Sequence, residues 1–394
     1  MAEADITYQR ARYAGPPFDV EAIEHQLSSL WQGKVPGAAT PLIGVPTRTS
    51  VLNLVICATS ESLAERAGGV VDHLSIHHPS RIILFAPNAE EPPFETKVEA
   101  RLTVQHDDGE HQHPITYEQI AIATPPDGLP HIPSIINSLV LPDLPTYVWW
   151  PGQPPLHDRQ LQPIIEVADR LIVDTIEFNH CVSNLIRIAA LHRCLDDCAS
   201  ICDLNWYRLD HWRQMTAQFF DMPAYQWALD DVDRLIVEYG QAHAATHNPT
   251  QALLFTGWVA SRLGWELSRL ESGSSPGEAR FLVSSPGGRD VSVELRPKRS
   301  PRRYNGQLLS ATMHASDGRM AGTFEAARTG DLDTIQMTAR VAGADDICRA
   351  VHSVPRDITD LLVEELRALN RDRYFEQALL EARRYAELLN RKAR

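Results

Sequence analysis

The spacing of apolar and polar positions changes character along this chain. VLNLVICA (51–58) and RIILFA (81–86) are nearly continuous apolar runs, the pattern of strands covered on both faces. Between them Leu63, Ala67, Val70, Val71 and Leu74 recur at helical spacing and predict a helix over 60–75. These three elements read as a βαβ-like unit. Residues 101–106 alternate and predict an edge strand, and 115–123 holds another. Ile132, Ile135, Ile136 and Leu139 predict a helix within 129–140, and strands follow at 147–150 and 170–174. Such repeated strand–helix alternation predicts a mostly parallel, layered sheet.

Helical spacing returns over 184–195 and over 208–220, where Leu209, Trp212, Met215, Thr216 and Phe219 share a face. DVDRLIVEY (231–239) reads as a strand, and TQALLFTGWVASRL (250–263) as a buried helix with Asn248 or Thr250 at its cap. Beyond the small polar stretch 272–277 the texture becomes alternating and turn-punctuated. Segments 279–284, 290–295, 307–315, 320–327 and 331–339 predict an antiparallel meander. Two amphipathic helices, 357–367 and 374–389, close the chain. Ahead of all this, Ile23, Leu27, Leu30 and Trp31 mark a helix over 20–32, and the Gly-, Pro- and Thr-rich 33–49 reads as a linker.

The expected fold is therefore α/β. An N-terminal layered, mostly parallel sheet with helices on both faces precedes a C-terminal α+β domain with an antiparallel meander and terminal helices. The expected division is 1–46 as N-terminal helix and linker, 47–222 as the α/β domain, and 223–394 as the α+β domain. A chain of 394 residues is long enough for such a division.

Lys+Arg 37 against Asp+Glu 51 gives a net charge of −14, which argues against a general phosphate-backbone binder. No apolar run approaches the length of a membrane span, and the N-terminus lacks a basic segment followed by an apolar one. Six cysteines in so long a chain are not a disulfide framework. A cytoplasmic protein that contacts neither nucleic acid nor membrane is expected.

Neither GxxxxGK[ST] nor a GxGxxG following a strand is present, and no hydrolase nucleophile pattern occurs. His77, His78, His106, His111 and His113 lack the spacing of a metal centre, and a solvated hairpin tip or helix end explains them better. The acidic clusters Asp196-Asp197 and Asp230-Asp231-Asp233 read as helix caps. No catalytic residue, cofactor or metal is expected. The basic run RPKRSPRR (296–303) reads equally as a docking loop for an acidic surface and as a solvated loop.

Cys194, Cys198 and Cys202 recur every four residues and would form a stripe if the helix from 184 continued that far. A redox or metal cluster is one reading, and small apolar core residues the more ordinary one. Aromatics carry the remaining signal. LPDLPTYVWWPGQPP (141–155) sets a short strand between proline turns, and its adjacent Trp149 and Trp150 must point to opposite faces. DLNWYRLDHWR (203–213) interleaves Trp206, Tyr207 and Trp212 with Arg208 and Arg213. Such mixtures make interface hot spots, and they also lock helices onto sheets.

In order, LPDLPTYVWWPGQPP, ADRLIVDT (168–175), DLNWYRLDHWR and LLFTGWVASRLGW (253–265) resemble the OpcA family of glucose-6-phosphate dehydrogenase assembly proteins. The similarity runs from about Thr47 to the last helix, and HPSRIILF (78–85) fits it too. The resemblance implies a non-enzymatic role. Such proteins bind glucose-6-phosphate dehydrogenase and promote its active oligomer at the entry to the oxidative pentose phosphate pathway. It also implies a link to thioredoxin-dependent redox control, for which this chain offers Cys194, Cys198 and Cys202 but no CxxC pair. The candidate contact residues are Asp143, Tyr147, Trp149, Trp150, Trp206 and Arg208, with exposed aromatics expected at the end of the tryptophan strand. The alternatives are an α/β enzyme, a sugar-phosphate-binding protein, or a redox sensor built on the cysteine stripe.

Overall fold

The computed structural model describes residues 6–12, 19–31, 50–74, 78–87, 97–105, 115–124, 131–156, 161–195, 199–242, 247–272, 277–368 and 370–392. The chain divides into two compact units that interleave in sequence. The first takes Met1–Asp174, Leu195–Cys202 and Ile358–Leu369; the second takes Thr175–Cys194, Asp203–Asp357 and Asn370–Arg394.

The first unit is built on β1 (Ile6–Arg12), α1 (Val20–Trp31), β2 (Leu52–Cys57), α2 (Glu61–Leu74), β3 (Ser80–Pro87), β4 (Lys97–Gln105), β5 (Ile115–Thr124), α3 (Ile132–Leu139), β6 (Thr146–Trp149), α4 (Leu161–Glu166) and β7 (Arg170–Val173). After α5 (Cys181–Leu195), β8 (Ser200–Asp203) completes the sheet. The strand order is β1-β4-β5-β3-β2-β6-β7-β8. β5, β3, β2, β6 and β7 run parallel, while β4 is antiparallel to both β5 and β1. The expected edge strand at 101–106 is thus an inner strand, because the N-terminal segment pairs along its free side. Continuous apolar runs do become buried central strands, since every residue of β2 is buried. Ser60 starts α2 by accepting a hydrogen bond from the Leu63 amide at 3.3 Å.

One buried polar residue organises the tryptophan strand. Asn53 of β2 receives the Leu141 amide on Oδ1 at 2.8 Å and donates Nδ2 to the Leu141 carbonyl at 3.1 Å. It thereby holds the proline turn whose Asp143 adopts φ 65°, and β6 falls into parallel register beside β2. Asp169 fixes the same end, accepting the Thr146 amide at 2.7 Å.

The second unit begins with most of α5 and contains α6 (Leu204–Tyr207), α7 (Asp210–Phe220), α8 (Trp227–Asp230), β9 (Val232–Gln241), α9 (Thr250–Leu263), β10 (Glu266–Ser272), β11 (Ala279–Ser284) and β12 (Asp290–Arg299). It continues with β13 (Leu308–Ser316), β14 (Ala321–Arg328), β15 (Thr334–Val341) and β16 (Ile347–His352). α10 (Ile358–Arg367) returns to the first unit, and α11 (Arg373–Lys392) packs in the second against α9. The sheet order is β10-β11-β12-β9-β13-β14-β15-β16. β9 separates the two antiparallel runs and lies parallel to β12. The meander seen in the sequence is therefore two meanders flanking one inserted strand.

Residues of one parity carry the core of this sheet. Phe281 meets Tyr385 of α11, and Phe324 meets Phe219 and Phe220 of α7 and Tyr225. α9, buried over nearly its whole length, packs on β9. Asn248 supplies its first-turn acceptor, taking the Thr250 amide at 3.0 Å, and Gly264 ends it in the left-handed conformation at φ 64°.

Candidate interaction surface

The tryptophan strand does not present an exposed aromatic end. Tyr147, Trp149 and Trp150 are all buried. Opposite-facing neighbours both find cover because a parallel central strand is packed on both sides. Neither indole Nε1 has a hydrogen-bond partner among the described residues, and the Arg170 guanidinium lies 5.0 Å from the Tyr147 ring centre. Of this segment's candidates, only Asp143 at the turn is exposed.

DLNWYRLDHWR is likewise turned inward. Asp203 receives the amides of Asn205 at 2.9 Å and Thr175 at 3.0 Å, which starts α6 and buries its first turn. Trp206 is 2% exposed and donates Nε1 to Asp372 at 2.7 Å. The Arg213 guanidinium lies 3.7 Å from its ring centre, and Phe375 packs at 5.7 Å. Trp206, a candidate contact residue whose core or surface role the sequence left open, is thus a packing post. Arg208 is half-buried and lines a polar cleft with His211, Gln307, Arg328, Ser353 and Arg356. The cleft's free volume of about 20 Å³ holds about one water. Arg328 is committed to the fold, donating to the carbonyls of Leu332 at 2.7 Å and Ser353 at 2.6 Å.

The cysteine stripe does not form. α5 ends at Leu195, Cys198 lies outside the described residues, and Cys202 sits on β8 rather than on a helix. The buried Cys202 thiol donates to Glu365 Oε2 at 2.6 Å, while Cys194 is exposed at the helix end. The described cysteines are all free thiols. Burial pushes the Cys57 thiol up to about 12 and the Cys181 thiol up to about 11, so neither is a thiolate near neutrality.

Among the other sequence candidates, His78 holds the Val363 carbonyl at 3.3 Å, whereas His77, His106, His111, His113, Asp196 and Asp197 lie outside the described residues. Asp231 pairs with Arg289 at 2.6 Å. No group of three or more His, Cys, Asp or Glu able to hold a metal occurs among the described residues. No described helix is long and apolar enough to cross a membrane.

The second sheet has a face that the described helices of its own unit leave open. Its residues have the parity opposite to Phe281 and Phe324. Across three neighbouring strands this face brings Arg280 of β11, Glu294 and Arg296 of β12 and Arg234 of β9 together. Glu294 is 3% exposed, and all three guanidinium groups close on it. Arg280 lies at 3.3 Å and Arg234 at 3.5 Å, with Arg296 hydrogen-bonded to its other oxygen. The arginines keep between 38% and 46% of their side-chain surface exposed. Beside them Lys298 meets Glu238 at 3.1 Å, and Glu238 also accepts the Ser310 hydroxyl at 2.8 Å. Half of the basic run at 296–303 is therefore strand rather than loop, and Arg303 beyond it pairs with Asp333 at 3.2 Å. Nothing in the spacing had singled out Glu294. Its signal is a single acid between valine and leucine in SVELR, where a strand reads apolar on one side only.

Two family models match this chain in tandem, both of the glucose-6-phosphate dehydrogenase subunit. Its N-terminal domain matches residues 71–190, and its C-terminal domain matches residues 199–379. The chain belongs to the OpcA family. A relative in Synechocystis sp., named as a proposed OxPP cycle protein OpcA, is 35% identical over 199 residues, or 50% of this chain and 40% of the relative. A relative of the same name in Nostoc punctiforme is 26% identical over 315 residues, or 79% of this chain and 66% of its own length. The chain thus spans between 40% and 66% of the length of these relatives. An oxidoreductase domain protein from Kribbella flavida superposes over 88% of this chain and 98% of its own, with a TM-score of 0.46 and 11% identity. Likeness at that level carries nothing about activity.

Proposed function

We propose that this protein is a non-enzymatic assembly factor and allosteric activator of glucose-6-phosphate dehydrogenase in the oxidative pentose phosphate pathway. The observation that carries the reading is the tandem match of both family domains, in order, over residues 71–190 and 199–379. The names of the cyanobacterial relatives point to the same pathway.

The mechanism is linkage. A protein that binds the competent oligomer of the dehydrogenase more tightly than its other states shifts the population toward it, by no more than that difference in affinity. Such a partner needs docking surface and no chemistry of its own. Of the contact candidates read from the sequence, Asp143 and Arg208 retain exposed surface, whereas Tyr147, Trp149, Trp150 and Trp206 serve the interior.

The test is a titration of the cognate dehydrogenase with this protein at fixed substrate. Saturable activation with a lowered apparent substrate constant is the expected result. Unchanged kinetics, together with intrinsic turnover of a sugar phosphate by this chain alone, would favour an enzyme instead.

A further inference from the structure

We infer that the open face of the second sheet is a self-association surface. A second copy of this chain packs on it face to face, about a two-fold axis that runs along the strands between β9 and β13. This goes beyond the proposed function and does not depend on it.

The face carries its own counter-charges. Its strands bear the cations Arg234, Arg269, Arg280, Arg296, Lys298 and Arg340, and the carboxylates Glu238, Glu266, Glu271, Asp290, Glu294 and Glu325. Each cation has a carboxylate partner within the face. Three share Glu294, Arg269 meets Glu271 at 2.9 Å, Lys298 meets Glu238 at 3.1 Å, and Arg340 meets Glu325 at 3.6 Å. The cations still keep between 38% and 62% of their side-chain surface exposed, so the chain itself does not cover them. Acids and bases balance here, although the chain as a whole carries −14. An isologous interface sets a patch against its own copy, so a patch of net charge repels itself and a neutral one does not.

The two halves of the face differ in height. All but Arg340 and Glu325 of these charged residues lie on β10, β11, β12 and β9. On β13 to β16 the same face is mostly short, with Ser310, Thr312, Thr323, Ala327, Thr338 and Ala350. The boundary falls in the middle of the eight strands, where Ile236 of β9 pairs with Thr312 of β13. A face left only to water gains nothing from this division.

A two-fold axis along that boundary lays the tall half of each copy on the low half of the other. Strand register then sets who meets whom. Ile236, half-buried, faces the partner's Thr312 at the centre. Ala327 faces the partner's Arg296, and Thr338 faces the partner's Arg280. Glu325, the one acid of the low half, faces the partner's Glu294, which lies beneath three guanidinium groups and is 3% exposed. Arg340 faces the partner's Leu282. No arginine is set against another. Eight strands span roughly 34 Å across, and strands of this length run roughly 20–30 Å along. That area accommodates the roughly 800 Å² per partner of a standard interface.

The experiment measures the mass of the full chain alone, by light scattering and sedimentation over about a hundredfold range of concentration. Ala327→Arg puts a long cation against the partner's Arg296, and Glu325→Arg puts one against the partner's three arginines. Ser62→Arg and Glu65→Arg, both exposed on α2, make the same changes of charge elsewhere. Thermal unfolding of every variant identifies those that remain folded. We expect a wild-type dimer, a dissociation constant raised about tenfold or more by each face variant, and α2 variants that dimerise as wild type. A wild-type chain of single-chain mass at every concentration would overturn the inference. So would a dimer that the folded face variants leave intact. Neither result bears on activation of the dehydrogenase, which is measured separately.

Discussion

At Arg170 the guanidinium donates to Glu365 Oε1 at 2.6 Å and to the Ala368 carbonyl at 2.8 Å, in a site with both side chains buried. Burial disfavours its charge, but Glu365 and Tyr147 more than offset this and raise its pKa. Removing one partner strands the other charge in the interior, so Glu365→Gln should cost about 3–5 kcal/mol, read as a lowered urea midpoint. Trp206→Ala should likewise cost about 3–5 kcal/mol, because it removes the indole between Arg213, Phe375 and Asp372. That cost separates a packing role from a contact role, which the sequence could not do. Interleaved tryptophan and arginine have the same spacing whether they face a core or a partner. The thiols give a signed pH dependence. Unfolded cysteines release protons around their ordinary value of 9.0, whereas folded Cys181 and Cys57 hold theirs to about 11 and about 12. Above pH 9 the unfolded state therefore binds fewer protons, and stability falls as pH rises. Urea midpoints at pH 7, 9 and 10.5 should decline in that order, and C57A should flatten part of the decline. In native protein Cys194 and Cys348 should react with a thiol reagent before Cys57, Cys181 and Cys202, as mass mapping would show.

At the scale of elements, the apolar periodicity marked most strands and helices, because each signal lies within one segment. β2, β3, α2 and α9 appear where continuous or helical apolar spacing placed them. Pairing was much less legible. Nothing local in DVDRLIVEY says that β9 inserts between two meanders, parallel to one neighbour and antiparallel to the other. β1 was missed because its partner β4 lies more than eighty residues along the chain. The cysteine stripe failed for the opposite reason, since its spacing has meaning only if the helix continues past Leu195. The contact between α9 and α11 depends on a missing side chain. A Cβ at Gly257 of α9 would stand 2.3 Å from the Ala378 carbonyl oxygen and 2.7 Å from the Ala382 amide of α11. Gly257→Ala should therefore separate the two helices and cost about 1–3 kcal/mol despite the better helix propensity of alanine, as thermal unfolding would report.

At the scale of the molecule, the chain folds as two units interleaved in sequence, with 195–202 and 358–369 returning to the first. The order of its tryptophan motifs pointed to the family, and the two domain matches bear that out. The Arg234–Arg280–Arg296 cluster was invisible in the sequence, because three strands must pair before its residues meet. The most direct measurement is the mass of the cognate dehydrogenase by size-exclusion chromatography with light scattering, alone and with this protein. One co-eluting complex, with the dehydrogenase held in its active oligomer, is the expected result. Two separate peaks, with the dehydrogenase at its unaltered mass, would contradict an assembly role.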